Sequence, residues 1–374
     1  MNILLGFTSL DIGGASLHLV ELGNFLTEQG HTVYIISDDG VLKNKIKGAT
    51  YIKLPLKKLK PGTLWNPINF FLLIKSILRV FLLIRLKKID LIHVHEIMIG
   101  SICYWSRLQL NIPIIFSCHG VSDERRKMYV KRAGLIGDYF IGVSQNTKNL
   151  LKQGVKGKEI EQINYGIQKH RLTNYKKEAT VIRKNILHKS KTSKIIITLA
   201  RFEEQKGHRY LLDAIPKIIQ KNKNVSFLLV GSGSLLKRMQ EQAKLKNLQS
   251  KVFFVGEKEN PYPYLLASDI FCLPSIFEAL PLSIIEAYRA SLPVVATDVG
   301  GVSEIVKNGI TGFLVEPKNS KKLADALLLL LTSKCIDKIK RNAFLYGNSS
   351  YFDSDNVHKR IEKFYKKCIK KYTK

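Results

Sequence analysis

The stretch IIITLARFEEQKGHRYLLDAIPKII, residues 195–219, decides the fold. Ile195–Leu199 is a short apolar, β-branched run of the kind that forms a buried strand. The loop Arg201-Phe-Glu-Glu-Gln-Lys206-Gly207 follows, and apolar residues then recur at helical spacing over Tyr210–Ile219. Strand, loop and helix in that order make half of a βαβ unit. The same alternation runs outward on both sides. Downstream, Ser226–Val230, Val252–Val255, Ile270–Leu273 and Val294–Ala296 read as strands. Helices fit between and after them at Leu235–Leu245, Leu282–Ala290 and Ala324–Leu331. Upstream, Ile3–Phe7, Thr32–Ile36, Leu91–Val94, Ile114–Ser117 and Tyr139–Val143 are strands, and Leu17–Leu26 is the first helix. Short, wholly apolar strands separated by helices predict parallel sheets covered on both faces.

The alternation pauses from about Tyr165 to Lys191, where the chain turns basic and Asn-rich around one helical segment, Glu178–Ile186. The chain therefore divides into a Rossmann-like domain at 1–168 and a second at 169–350. A basic helix in 351–374 packs back toward the first. The expected fold class is α/β, two doubly wound domains facing across a cleft. In open sheets of this kind ligands bind beyond the carboxyl ends of the strands, so the loops after strands hold the candidate residues.

Composition narrows the function classes. A chain of 374 residues accommodates two ordinary domains, and 45% hydrophobic residues argue against disorder. Lys plus Arg number 60 against 30 for Asp plus Glu, a net charge of +30. Such a charge attracts polyanions or anionic lipid, although lysines scattered over solvated faces account for part of it. Cys103, Cys118, Cys272, Cys335 and Cys368 form no C-x-x-C pair and are odd in number. They suggest neither a disulfide framework nor zinc, and they suit a reducing compartment. The N-terminus reads as a strand rather than a signal peptide. The most apolar segment, Phe70–Leu86, is interrupted by Lys75, Arg79 and Arg85, so no spanning helix is expected.

Several loops carry chemistry. Gly13 and Gly14, between the first strand and helix, would let backbone amides approach a phosphate, and a plain turn explains them equally well. Arg201 and Lys206 suit diphosphate oxygens, or a solvated basic loop. Gly231-Ser232-Gly233 is a tight turn or a close approach to a ligand. In Glu278-Ala-Leu-Pro-Leu-Ser-Ile-Ile-Glu286, Pro281 marks a helix start. Free amides at Leu282 and Ser283 would then hold diphosphate or sugar oxygens. Glu278 and Glu286 can accept from sugar hydroxyls. The plainer readings are a carboxylate favoured by the helix dipole for Glu278 and an ion pair for Glu286. His119 ends a strand before Gly120, and His95 has a similar address, though a lone histidine is more often structural. His93 and His95 alternate as metal ligands can, but no third ligand has a fitting spacing. Asp353 and Asp355 precede the last helix, where an N-cap is the better account.

Taken together, the motifs resemble glycosyltransferase family 4, the retaining GT-B group, of the bacterial surface-polysaccharide type. They are Gly13-Gly14, His93-Val-His-Glu96, Cys118-His-Gly120, Gly142-Val-Ser-Gln-Asn-Thr-Lys-Asn-Leu-Leu151 and Leu199-Ala-Arg-Phe-Glu-Glu-Gln-Lys-Gly207. Val230-Gly-Ser-Gly233, Phe277–Ala287 and Gly300-Gly-Val-Ser-Glu-Ile-Val306 with Gly309 and Gly312 complete the set. The resemblance implies a nucleotide diphosphate sugar donor, UDP foremost, and a lipid-linked or surface-glycan acceptor. It also implies that a hexose or N-acetylhexosamine moves with retention, without cofactor or metal. Arg201 and Lys206 would neutralise the leaving diphosphate, Glu278 would hold the donor sugar, and Glu286 would bind the ribose. Gly13 and Gly14 would close on the diphosphate, and His119 would lie near the reacting centre. Two motifs depart from the family: Asn164-Tyr-Gly-Ile-Gln168 stands for Asn-Gly-Ile-Asp, and Ser234 stands for a proline. A sugar-nucleotide 2-epimerase of the same fold and a non-enzymatic polyanion binder are the competing readings. Basic residues without interleaved aromatics or a known motif argue against nucleic acid.

Two basic clusters point to the acceptor side. One is Lys57, Lys58 and Lys60, continuing through the 70–86 helix to Lys87 and Lys88, with no acid from 57 to 88. The other is Arg125, Arg126 and Lys127 with Lys131 and Arg132. The 70–86 helix is either an ordinary sheet cover or an interfacial face resting on anionic lipid. A cytoplasmic protein, peripheral at the inner face of the cell membrane, is the expected location.

Overall fold

Ile3, Leu4 and Leu5 have no exposed surface, and they form the interior of the first strand, β1 (Asn2–Ser9). A computed structural model describes residues 1–59, 66–108, 110–121, 125–169, 172–187 and 194–372. Lys60 and the linker residues 170, 171 and 188–193 lie outside them. The chain forms two compact units, Met1–Gly166 with Ser354–Lys374, and Ile167–Asp353. The sequence-based boundaries at 168/169 and 350/351 sit within three residues of these.

The first unit continues with α1 (Gly14–Glu28), β2 (Thr32–Asp38), β3 (Thr50–Lys53), α2 (Pro67–Leu86), β4 (Leu91–Val94) and α3 (Ile97–Ser106). Then come β5 (Ile114–Cys118), α4 (Arg126–Ile136), β6 (Tyr139–Gly142), α5 (Gln145–Lys152) and β7 (Glu159–Gln162). Its seven strands are all parallel, in the order β3-β2-β1-β4-β5-β6-β7. Val80, Ile84, Ile99, Ala133 and Leu151, from α2 to α5, fill the core on one face. On the other face Leu19, Leu22 and Leu26 of α1 meet Val357, Ile361 and Phe364 of the terminal helix, here α14 (Ser354–Tyr372). The last helix therefore belongs to the first unit because it completes the layer that α1 begins. Lys367 and Lys371 on α14 also pair with Glu159 of β7.

The second unit opens with α6 (Lys176–Leu187), β8 (Lys194–Leu199), α7 (His208–Lys221), β9 (Val225–Val230), α8 (Leu236–Leu245) and β10 (Val252–Gly256). It continues with α9 (Tyr262–Leu266), β11 (Ile270–Leu273), α10 (Leu282–Arg289), β12 (Val294–Thr297), α11 (Val302–Ile305) and β13 (Gly312–Val315). It closes with α12 (Ser320–Thr332) and α13 (Ile336–Gly347). The strand order is β10-β9-β8-β11-β12-β13, again wholly parallel. In both sheets the winding reverses beside the unit's first strand, between β1 and β4 and between β8 and β11. Loops leaving such a reversal diverge to opposite faces and leave a crevice at the strand ends, which is where this architecture holds ligands.

Arg289 locks the second unit. It is 2% exposed, and its guanidinium donates to three backbone carbonyls: Gly347 at 3.1 Å, Phe352 at 3.2 Å, and Gln168. Those carbonyls come from the unit's entry and exit segments, so one side chain ties both chain crossings to α10. Arg289→Met keeps the stem and strands the carbonyls. It should lower the stability of this unit by about 3 kcal/mol, measured as a drop in its thermal or denaturant midpoint.

Candidate functional site

β8 and β11 pair at the reversal of the second sheet, Ile270 opposite Ile196 and Phe271 opposite Ile197. Their following loops are therefore neighbours. Lys206 from one loop donates to Glu278 Oε1 from the other at 2.6 Å. Glu278 is 5% exposed, and a carboxylate that deep needs a charged or hydrogen-bonding partner. Ser275 Oγ donates to the same oxygen at 2.7 Å, while no described residue bonds Oε2. Two further bonds stitch the loops together: Gln205 Nε2 to the Phe277 carbonyl at 3.0 Å, and Ile276 N to the Gln205 carbonyl at 2.8 Å. Gly300 presses on this assembly with φ +56, and a Cβ there would lie 1.7 Å from the Glu278 carbonyl oxygen.

Gly231 and Gly233 prove to be backbone-packing positions. Both have φ +149, and a Cβ would meet the carbonyl oxygens of Ala200 at 2.1 Å and Phe202 at 2.6 Å. Their bareness lets the β9 loop lie against the backbone on either side of Arg201. The Arg201 side chain is exposed and has no hydrogen bond or ion pair among the described residues. The turn thus supports the loop that carries a free guanidinium.

The start of α10 also has open donors. Pro281 precedes the first turn, and the amides of Leu282 and Ser283 have no acceptor in the described structure. Unpaired amides and the helix dipole make such an end attractive to anions. One turn on, Glu286 is partly buried, and its carboxylate has no hydrogen-bond partner among the described residues. The ion pair considered from sequence does not form, because nearby Arg289 spends its guanidinium on backbone carbonyls. Burial pushes the Glu286 carboxyl up to about 7, against an opposing pull from Arg289. The second unit therefore brings Lys206 and Glu278 into contact. It also places Arg201, Leu282, Ser283 and Glu286 on the same two loops and the helix that follows, each with unmet polar capacity.

In the first unit the equivalent reversal carries Gly13 and Gly14, and His119 follows the next strand, β5. Gly13 precedes α1 in an extended conformation, and its amide and that of Gly14 lack acceptors among the described residues. Thr8 N, near the end of β1, donates to Glu96 Oε2, two residues beyond β4, at 2.8 Å. His119 Nε2 bonds His95 Nδ1 at 2.7 Å, and its Nδ1 bonds the Tyr165 hydroxyl. Both ring nitrogens are thus occupied, so the imidazole meets a reacting atom only if one of these bonds opens. Tyr165, the extra residue in the atypical Asn164–Gln168 segment, stacks on His119 with ring centroids 5.5 Å apart.

Around this pair lies a histidine cluster that spans most of the chain's length. His93 bonds Ser117 Oγ at 2.7 Å and the Tyr365 hydroxyl. His18 lies 5.4 Å from His358 and 6.4 Å from His95, centroid to centroid. One buried nitrogen on each of His18, His95 and His358 lacks a partner among the described residues. Burial pushes His119 down to about 3 and His18 to about 4, with mutual repulsion adding for His119. The cluster is neutral near pH 7. The sequence reading weighed His93 and His95 as metal ligands, and here they bond Ser117, Tyr365 and His119 instead. Among the described residues no three His, Cys, Asp or Glu side chains are placed to share a metal ion. It missed His18, Tyr165 and His358, which sit on α1, the segment after β7, and α14. Only the fold brings residues so far apart in sequence together.

Comparison with known proteins places this geometry. The model described as Glycosyltransferase Family 4 matches residues 12–171, and Glycosyl transferases group 1 matches 181–348. An N-acetyl-alpha-D-glucosaminyl L-malate synthase of Bacillus anthracis is 24% identical over 97% of this chain and 96% of its own. The UDP-Gal:alpha-D-GlcNAc-diphosphoundecaprenol alpha-1,3-galactosyltransferase of Escherichia coli is 25% identical over 80% of each. Among solved structures, Anabaena HepE in complex with UDP and glucose superposes with a TM-score of 0.81 at 20% identity. That match covers 98% of this chain and 100% of HepE. The fold is GT-B.

The raised Glu286 carboxyl gives a signed pH test. Its folded-state pKa lies above the ordinary 4.5, so the native state holds the proton more tightly than the unfolded chain. The charge therefore opposes folding increasingly from pH 4.5 to 7 and fully above that. Glu286→Gln should stabilise the second unit at pH 8 by on the order of 3 kcal/mol, at 1.36 kcal/mol per pKa unit. The gain should vanish near pH 4.5. Denaturant midpoints at the two pH values measure it.

Proposed function

Because the chain belongs to glycosyltransferase family 4, we propose that it transfers a hexose or N-acetylhexosamine from a UDP-sugar to a lipid-linked or glycan acceptor. The transfer takes place at the cytoplasmic face of a membrane, with the anomeric configuration retained. The observation that carries this reading is the set of unmet groups at one strand reversal: free Arg201, the Lys206–Glu278 pair, the open start of α10, and unpartnered Glu286. Two cations, two open amides and two carboxylates with spare acceptor capacity match a sugar joined to a diphosphate and a ribose.

Each group has one task in this account. As the bond from the anomeric carbon to the β-phosphate oxygen breaks, negative charge builds on the diphosphate. Arg201 and Lys206 meet that charge with fixed positive charge, and the Leu282 and Ser283 amides add oriented dipoles. Glu278 Oε2 accepts from a donor-sugar hydroxyl while Oε1 stays on Lys206. Glu286 accepts from the ribose hydroxyls, which relieves a carboxylate left without partners. No side chain need act as nucleophile, because the departing phosphate oxygen can take the acceptor proton on the same face. No metal or cofactor has a task in it. The relatives' names differ on the acceptor, one carrying diphosphoundecaprenol and the other L-malate. The exposed apolar helix α2 favours the lipid-linked class.

Arg201 is the cleanest probe, since it is exposed and makes no contact that the fold needs. Removing Lys206 would instead leave Glu278 buried and unpaired, which costs several kcal/mol by itself. UDP-sugars at about 100 times the dissociation constant should add about 2.7 kcal/mol of stability, read as a thermal shift that GDP- and ADP-sugars do not reproduce. Arg201→Ala should lower kcat by about 100-fold or more in a UDP-release assay, with the melting temperature unchanged. Full activity in that variant would reject the site.

A further inference from the structure

Helix α2 has an exposed apolar face. Asn66 caps it, its Oδ1 accepting from Ile68 N at 2.9 Å, and Pro67 opens its first turn. Ser76, Val80 and Ile84 are buried beneath it, and Ser106 Oγ of α3 donates to the Ile77 carbonyl at 2.9 Å. One side of the helix is therefore fixed on the first unit's sheet layer. On the opposite side Phe71 is 65% exposed, Leu78 56% and Leu82 52%, with Ile74 between them. Positions 71, 74, 78 and 82 follow helical spacing and form one continuous stripe. Burying a large apolar side chain is worth roughly 1.5–3 kcal/mol, so four left in water on one stripe mark a surface made to be covered.

The charges around the stripe select what covers it. Lys75, Arg79, Arg85, Lys87 and Lys88 lie along or just beyond the helix, and none has an ion pair in the described structure. No acid occurs from 57 to 88. Trp105, 57% exposed, stands on α3, the helix packed against α2, and tryptophan favours the level of lipid headgroups. A groove of about 240 Å³ opens beside α2, walled by Ile52, Leu54 and Leu83 with Arg79 and Lys87. Apolar walls with two cations suit an acyl chain ending in an anionic headgroup. A second copy of this chain would bring five unpaired cations against their own kind, with no acid to answer them.

By length and composition α2 could cross a bilayer. Doing so would strip Ser76, Val80 and Ile84 from the core they fill. Lying flat keeps those contacts and buries the stripe, as amphipathic helices do at an interface. We propose that α2, aided by Trp105, is a docking surface that seats this protein on an anionic phospholipid bilayer with the helix in the plane of the interface. The proposal rests on the peripheral location given above and names the surface responsible.

The test is co-sedimentation of the full chain with vesicles. One set is phosphatidylcholine alone, and the other has about one third phosphatidylglycerol. The protein should pellet with the anionic vesicles at about 50 mM salt and several-fold less at about 500 mM, where the Debye length has shortened. Phe71→Ser and Leu78→Ser, both on exposed positions, should each weaken partitioning about tenfold. Lys75→Glu with Arg79→Glu should weaken it at least as much. The thermal shift with UDP-sugar should be unchanged in every variant. No pelleting with anionic vesicles, or variants that bind as the parent does, overturns the proposal. So does a dimer in solution that Leu78→Ser disperses. Lost vesicle binding with an intact UDP-sugar shift would leave the transferase reading standing, and the converse would remove that reading alone.

Discussion

The candidate site depends on one contact, the bond from Lys206 Nζ to Glu278 Oε1 across 72 residues of sequence. Glu278 is too deep to go without a hydrogen-bonding partner, and Lys206 has only a sixth of its side chain exposed. Each therefore holds the other, and with it the loop that each belongs to. The loop after β8 fixes where Arg201 emerges. The loop after β11 fixes where α10 begins, and so where the Leu282 and Ser283 amides and Glu286 lie. Gly300 and the Gly231–Gly233 turn allow the backbones to come this close. The same pair leaves Glu278 Oε2 free. A single oxygen thus serves the fold while its twin remains available to a ligand.

The two units apply the same topology to different chemistry. In the second, cations and carboxylates are arranged with gaps in their hydrogen bonding, which suits a charged and polyhydroxylated ligand. In the first, the reversal between β1 and β4 is backed by histidines that burial keeps neutral. Glu96 accepts from Thr8 N there, tying the segment after β4 to the end of β1. His119 stands at the edge of this neutral cluster, held by His95 and Tyr165. An uncharged imidazole stacked on tyrosine offers shape and a dipole rather than charge.

Most of the fold was legible because parallel strands buried on both faces are short continuous apolar runs. Ile195–Leu199 and Ile114–Ser117 announce themselves in this way. The strands that went unread are β3 and β7, TYIK and EIEQ, with polar residues because they lie at sheet edges, and β13, which begins with glycine. The helix α13 was also missed, since its apolar residues alternate with Lys338, Lys340 and Arg341. As candidates, Arg201, Lys206 and Glu278 stand out in the sequence because each follows a strand, and Glu286 because it lies on the helix that comes next. What sequence could not supply was their state of satisfaction: that Lys206 pairs with Glu278, that the Glu286 carboxylate has no hydrogen bond among the described residues, and that both nitrogens of His119 are taken. Those facts depend on residues brought together from distant segments. The basic character of α2 was visible, but the exposure of its apolar stripe required knowing which side meets the sheet.

The most direct measurement of the central claim is a crystal structure of the protein with UDP. The account requires the β-phosphate within hydrogen-bonding reach of Arg201 and Lys206, a phosphate oxygen at the Leu282 or Ser283 amide, and the ribose hydroxyls on Glu286. UDP bound elsewhere, or bound here with its ribose turned away from Glu286 and its phosphates clear of both cations, would contradict it.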